Sequence, residues 1–156
     1  MNPIHARVLT VSQGAKLRVL LRELLSEVKV IELDETSNGV DAFTLHQNKP
    51  YDVIVAEWDV RPLSGIDLLR TIRNGASGHT SVLLMSAEKL GPRTIEALRA
   101  GANGLIELPL DPTRAREKLG RMIGSVPERS CSGVLRAADL WSPLRDASGD
   151  VKHGVG

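Results

Sequence analysis

Hydrophobic positions along most of the chain follow two alternating patterns. Short runs of apolar, often β-branched residues predict buried strands, and stretches with an apolar residue every three or four positions predict amphipathic helices. The two patterns alternate five times, and the apolar runs cover residues 7–11, 29–33, 52–56, 81–85 and 103–108. We therefore predict five strands, each followed by a helix.

Helix boundaries are marked by residues that cap or end helices. Ser64 stands three residues before Asp67, an arrangement that lets a serine cap and an acidic residue reciprocate. Asp111 followed by Pro112 predicts the start of a last helix, and Gly101 suits the left-handed end of the preceding one.

Strands that alternate with helices at this spacing predict an α/β fold with a five-stranded parallel sheet covered by helices on both faces. Right-handed crossovers favour a doubly wound, flavodoxin-like (βα)5 arrangement. Ligands of such folds bind beyond the carboxyl ends of the strands. The segments that follow Val11, Ala56, Met85 and Leu108 are thus where we look for chemistry.

The composition bounds this picture. With 156 residues we expect one core, placed in residues 1–126, and the formal charge of +1 provides no global field that would attract nucleic acid or a membrane surface. A single cysteine excludes an internal disulfide, and no apolar run approaches the roughly 20 residues of a membrane span. We expect a cytoplasmic protein with neither DNA nor membrane as a partner.

Residues 127–156 differ from the rest, because proline, serine and glycine become frequent and the periodicity ends. We interpret them as a flexible tail or a tail with one short helix. Within it, Trp141 shares a helical face with three apolar residues. This segment could fold back on its own domain or anchor a partner, and the sequence leaves both open.

Two stretches carry a resemblance to a known family. YDVIVAEWDVRPLSGIDLL and LLMSAEKLGPRTIEALRAGANGLIELPLDP resemble bacterial two-component response-regulator receiver domains of the CheY type, and the similarity extends over residues 7–123. The resemblance implies a fold that accepts a phosphoryl group from a histidine kinase on an aspartate after the third strand. It also implies a magnesium ion held by an acidic pair, a hydroxyl after the fourth strand and a lysine after the fifth.

The resemblance also implies that this receiver is degenerate. Its positions are Ser12 and Gln13 for the acidic pair, Glu57 for the acceptor, Ser86 for the hydroxyl, Leu105 for a switch aromatic and Leu108 for the lysine. Only Ser86 retains the family's chemistry. Asp59 is a further carboxylate close to the acceptor position.

These replacements remove the cations that phosphoryl transfer needs. Magnesium prefers carboxylate oxygens, and acyl-phosphate formation needs cations that take up charge on the transferring group. We therefore expect no tight magnesium site, no cofactor and no catalytic residue. Glu57 could imitate a phosphorylated aspartate through a hydrogen bond to Ser86, or it could be inert; Asp59 as a substitute acceptor is a third interpretation.

Cations on the fourth and fifth helices form a second candidate site. They are Arg93, Arg99, Arg114, Arg116, Lys118 and Arg121. In the family that the chain resembles, this region docks partners, although such a surface could equally be a solvated helix exterior.

We expect a phosphorylation-independent, single-domain response regulator, a pseudo-receiver that acts by binding another protein and is no enzyme. Monomer and homodimer both stay open. Two alternatives remain: a receiver phosphorylated at a non-standard carboxylate, and a receiver-like module that binds a cyclic dinucleotide.

Overall fold

The computed structural model describes residues 4–28, 30–75 and 79–126. The first half of this part contains β1 (Ile4–Val11), α1 (Ala15–Glu27), β2 (Val30–Thr36), α2 (Gly39–Asn48) and β3 (Val53–Glu57). The second half contains α3 (Gly65–Arg73), β4 (Ser81–Ser86), α4 (Leu90–Ala100), β5 (Gly104–Glu107) and α5 (Pro112–Gly124).

The five strands form one parallel sheet in the order β2-β1-β3-β4-β5. This order confirms the predicted doubly wound, flavodoxin-like fold. The chain direction across the sheet reverses between β1 and β3, which places the switch point at the carboxyl ends of these two strands. Candidate site residues at the strand ends therefore meet at one edge.

Two apolar clusters cover the faces of the sheet. One combines the sheet with buried residues of α2, α3 and α4, and the other combines it with α1 and α5. In β4 every side chain is buried, as expected for a strand covered on both sides. The buried sheet thus fixes the positions of the loops at its edge, where the candidate site residues lie.

The predicted helix signals occur at the expected boundaries. The Ser64 side chain accepts a hydrogen bond from the Asp67 amide at 3.3 Å, and Asp111 accepts one from the Thr113 amide at 3.1 Å. Gly101 ends α4 with a positive φ of 95°, which a residue with a Cβ rarely adopts. Two strands start earlier or end later than the apolar runs: β1 begins at Ile4 and β2 extends to Thr36, because the two strands pair beyond their apolar centres.

The loop between β3 and α3 is held by two close backbone approaches. A Cβ at Gly65 would lie 2.4 Å from the carbonyl oxygen of Glu57, and one at Gly39 would lie 2.0 Å from that of Leu63. The Gly39 amide donates to the Pro62 carbonyl at 3.0 Å, and the Arg61–Pro62 peptide bond is cis. Pro62 thus belongs to a loop that packs against the start of α2.

Candidate functional site

The parallel sheet brings three predicted site residues to one edge. Glu57 ends β3 and Ser86 ends β4, while Ser12 directly follows β1. Ser12 and Ser86 are completely buried, and Glu57 is half-buried. The site therefore lies where the loops after β1, β3 and β4 meet, and we call it the pocket.

Glu57 is held by neutral donors from the β1–α1 loop. Its Oε1 atom accepts hydrogen bonds from the Ser12 hydroxyl at 2.7 Å and from the Gln13 backbone amide at 3.0 Å. The Gln13 side chain points elsewhere and donates to the Arg61 carbonyl at 3.0 Å. The residues in place of the acidic pair thus orient the carboxylate rather than bind a cation beside it.

Ser86 has different partners. Its hydroxyl donates to the Glu88 carbonyl at 3.1 Å and accepts from the Glu88 amide at 3.2 Å. It also accepts a hydrogen bond from Arg93 Nη1 at 3.0 Å. Among the described residues, no hydrogen bond joins Ser86 to Glu57, so the coupling considered above is not formed here.

Arg93 enters the pocket from α4 and binds Asp59. Its Nη1 lies 3.0 Å from Asp59 Oδ2 and its Nη2 lies 2.9 Å from Oδ1, a bidentate pair. The guanidinium carbon stands 4.5 Å from the ring centroid of the buried Trp58, and Glu88 lies 3.4 Å from Nη2. The pocket therefore contains an organic cation that the protein itself supplies.

The electrostatics of this pair follow from its geometry. The hydrogen bonds from Arg93 lower the pKa of Asp59 below its ordinary value and outweigh the opposing effect of burial. The same interaction raises the pKa of Arg93. Both groups are thus charged over the whole physiological range.

Arg93 requires a correction to the sequence interpretation, which grouped it with the cations of the helix exterior. Its side chain is only 15% exposed and points into the pocket. Sequence reasoning also missed Trp58, on which the guanidinium stacks. The available signal was position: Arg93 lies in the first turns of the helix after β4, near the edge where Asp59 also lies.

The residues present do not fit a magnesium ion. Within the described ranges, no three His, Cys, Asp or Glu side chains come together as a possible metal site. The Ser12 hydroxyl and one Glu57 oxygen already bind each other, and Asp59 is paired with Arg93. Magnesium needs several hard oxygen ligands in near-octahedral geometry, which this set cannot offer without breaking both pairs.

The lysine and switch-aromatic positions hold packed aliphatic side chains. Leu105 packs on the cluster that involves α2, α3 and α4, and Leu108 packs on the cluster with α1 and α5. The Leu108–Pro109 peptide bond is cis. No ammonium group reaches the pocket from the Leu108 position.

The remaining predicted cations occupy several environments. Arg99 and Arg121 are exposed, Arg114 is 85% exposed and lies 3.9 Å from Asp111, and Arg116 pairs with Glu27. Lys118 lies over β5 with its amine 3.4 Å from the Leu105 carbonyl, and burial lowers its pKa. Trp141 lies outside the described residues.

Apolar side chains accompany these cations on α4. Ile95 is 55% exposed and Leu98 is 52% exposed. Leu98 lines a groove with further residues of α4, the following turn, β5 and α5, namely Thr94, Ala97, Ala102, Gly104, Leu105 and Lys118. This face, formed by α4, β5 and α5, combines apolar surface with positive charge.

The fold and the site define a class: an α/β protein with a single parallel sheet, whose candidate site residues lie at the carboxyl ends of the strands. Within that class, residues 8–120 match the response regulator receiver domain family, and the chain belongs to this family. Its members are in general signalling modules rather than enzymes. No helix in the described ranges is long and apolar enough to cross a bilayer.

Individual relatives support the assignment. The chain is 30% identical over 119 residues to chemotaxis protein CheY-3 of Vibrio cholerae, covering 76% of this chain and 92% of that protein. It is 28% identical over 121 residues to chemotaxis protein CheY of Pseudomonas aeruginosa, covering 77% and 98%. The receiver domain of the Francisella response regulator 1452 has a similar structure, with a TM-score of 0.71 at 23% identity, covering 79% of this chain and all (100%) of that one.

Proposed function

We propose that this chain is a phosphorylation-independent, single-domain response regulator, a cytoplasmic pseudo-receiver that signals by binding another protein. One observation carries the proposal: Glu57 and Asp59, at the carboxyl edge of the sheet that we call the phosphorylation edge, already have internal partners. Glu57 Oε1 accepts from Ser12 and the Gln13 amide, and Asp59 pairs with Arg93. Such a pocket is stable without a divalent ion or a phosphoryl group.

The same contacts oppose phosphorylation of either carboxylate. A carboxylate nucleophile must attack in line while cations neutralise the charge on the transferring group. Glu57 has no cation among its hydrogen-bond partners, and Leu108 adds none. Asp59 would have to give up its bidentate pair with Arg93 before it could act as an acceptor.

The proposed output surface is the α4–β5–α5 face. Exposed Ile95 and Leu98 offer apolar contact. Arg99 lies near Ile95, Lys118 lines the groove beside Leu98, and Arg121 is exposed on α5. Apolar contact supplies affinity, and a charged rim selects the partner and its orientation. An acidic, amphipathic segment of a signalling protein fits this chemistry. Residues 1–126 would form the functional module, with residues 127–156 as a tail.

Incubation with acetyl phosphate and Mg²⁺, followed by intact-mass measurement, tests phosphorylation independence. We expect no mass gain for the full chain under conditions that fully modify a receiver with an intact acidic pair, aspartate and lysine. The gain of one phosphoryl group on Glu57 or Asp59, located by peptide mapping, would overturn the proposal.

Paired surface variants test the output face. Leu98→Asp should abolish capture of the native partner, because the substitution places a charge in the apolar centre of the proposed contact. Val19→Asp is the matched control, since Val19 is similarly exposed at 47% but lies on α1. Equal capture by both variants, with the fold of each confirmed by circular dichroism, would show that another surface binds the partner.

A further inference from the structure

The contacts of Arg93 do more than neutralise charge, because they join α4 to the loop after β3 and to the end of β4. Asp59 belongs to the loop after β3, Ser86 ends β4, and Arg93 lies on α4. One guanidinium hydrogen-bonds both partners, with Nη1 3.0 Å from Asp59 Oδ2 and 3.0 Å from the Ser86 hydroxyl. We call these three residues the Arg93 bridge.

Helix α4 begins without the side-chain cap that three other helices have. The side chains of Asn38, Ser64 and Asp111 cap α2, α3 and α5, whereas Lys89 at the start of α4 makes no side-chain cap hydrogen bond. Among the described side chains of α4, only Ala97 is buried. Helices in proteins are stabilised mainly by packing of an apolar face, so a helix packed this sparsely depends on other contacts.

The bridge is well placed to supply that contact. The Arg93 side chain is 15% exposed and stacks on Trp58, whose own backbone amide donates to the Met85 carbonyl at 2.8 Å. Hydrogen bonds to charged groups in partly desolvated sites are stronger than neutral ones, and a bidentate pair also fixes orientation. Ser86 also hydrogen-bonds the Glu88 backbone, so the segment between β4 and α4 is held by Ser86 at its start and by Arg93 on the helix.

From these contacts we infer that the Arg93 bridge is a built-in latch that fixes α4, and the Ile95–Leu98 surface it carries, in one position against the phosphorylation edge. The hydrogen bonds from Arg93 to Asp59 and Ser86 would hold α4 in place without any covalent change at the edge. This inference goes beyond the proposed function, because a chain that is never phosphorylated could still have a mobile α4.

Native-state amide hydrogen exchange on the full-length chain, measured by NMR, tests the latch. The informative amides are those of residues 94–98, whose helical hydrogen bonds form only when the first turns of α4 are intact. In Arg93→Gln we expect their exchange to accelerate by on the order of tenfold or more, the loss expected for charged hydrogen bonds. Asp59→Asn, which leaves Arg93 in place but removes the bidentate charge partner, should accelerate the same amides.

Arg99→Gln is the matched control, because Arg99 lies exposed on the same helix outside the bridge. Exchange of residues 94–98 at the wild-type rate in Asp59→Asn would overturn the inference, whatever happens in Arg93→Gln. Equal acceleration in Arg99→Gln would also overturn it, since the effect would then come from the charge of the helix. Phosphorylation of Glu57 in the mass experiment would overturn the proposed function and leave the exchange result unaffected, because Glu57 is not part of the bridge. The two ideas therefore fail separately.

Discussion

At the scale of single residues, two carboxylates separated by one position have opposite environments. Glu57 faces the β1 side of the sheet and is held by a hydroxyl and a backbone amide. Asp59 faces α4 and is held by a guanidinium. Ser86 ends β4, on the side of β3 where Asp59 and Arg93 lie, and it therefore binds Arg93 rather than Glu57.

The pKa of Asp59 reports directly on its ion pair with Arg93. In the native chain the hydrogen bonds from Arg93 hold it below the ordinary aspartate range. Arg93→Gln should raise it toward that range, which an NMR titration of the side-chain carboxyl carbon can follow. Identical Asp59 titrations in the two proteins would contradict the pairing.

The lowered pKa of Asp59 determines how the contribution of this pair to stability depends on pH. Because the pKa of Asp59 is lower in the folded chain than in the unfolded chain, the pair stabilises the fold fully above the ordinary carboxyl range. This contribution is lost as the pH falls through the lower, folded-state pKa. Acid unfolding of Arg93→Gln should therefore lack this component of the wild-type pH dependence.

At the scale of elements, Arg73 performs a structural role that resembles the bridge. From the end of α3 it donates to the Thr80 carbonyl at 2.6 Å, to the Gly101 carbonyl at 2.8 Å and to Asn103 Oδ1 at 2.8 Å. It thereby connects α3 to the start of β4 and to the turn between α4 and β5. Burial lowers the pKa of this arginine to about 10.

We expect Arg73→Met to reduce the free energy of unfolding by about 3 kcal/mol, because it leaves several buried acceptors without their charged donor. Arg70→Met, three residues earlier, should cost at most about 1 kcal/mol, since Arg70 forms only exposed ion pairs with Asp67 and Glu96. Urea unfolding of the two variants makes the comparison. Equal losses would show that Arg73 is no more than another surface charge.

Sequence patterns predict the strands, the sheet class and the capped helix starts, because each depends on residues close together along the chain. They also predict that Ser12, Glu57 and Ser86 converge, since parallel strands end at one edge. They could not separate Arg93 from Arg99. Both look like exterior helix charges, and only the packing of α4 directs one of them onto Trp58.

At the scale of the whole molecule, the chain has the receiver architecture, and Glu57 and Asp59 at the carboxyl edge of its sheet have internal hydrogen-bond partners. The sheet order and family match place the edge and the α4–β5–α5 face as in any receiver domain. We propose that the chemistry between them differs from that of the family. In our account two separate sets of fixed contacts replace a reversible charge: Glu57 with Ser12 and the Gln13 amide, and Asp59 with Arg93.

An NMR titration of the full-length chain with Mg²⁺ in the presence of beryllofluoride, a phosphoryl mimic, tests this account most directly. We predict no saturable chemical-shift change for the amides of residues 12–14, 57–61 and 86–94 up to millimolar Mg²⁺, because every carboxylate among them except Glu88, which lies beside Arg93, has a hydrogen-bonded internal partner. Saturable shifts confined to these amides, with an affinity that depends on both Mg²⁺ and beryllofluoride, would contradict it.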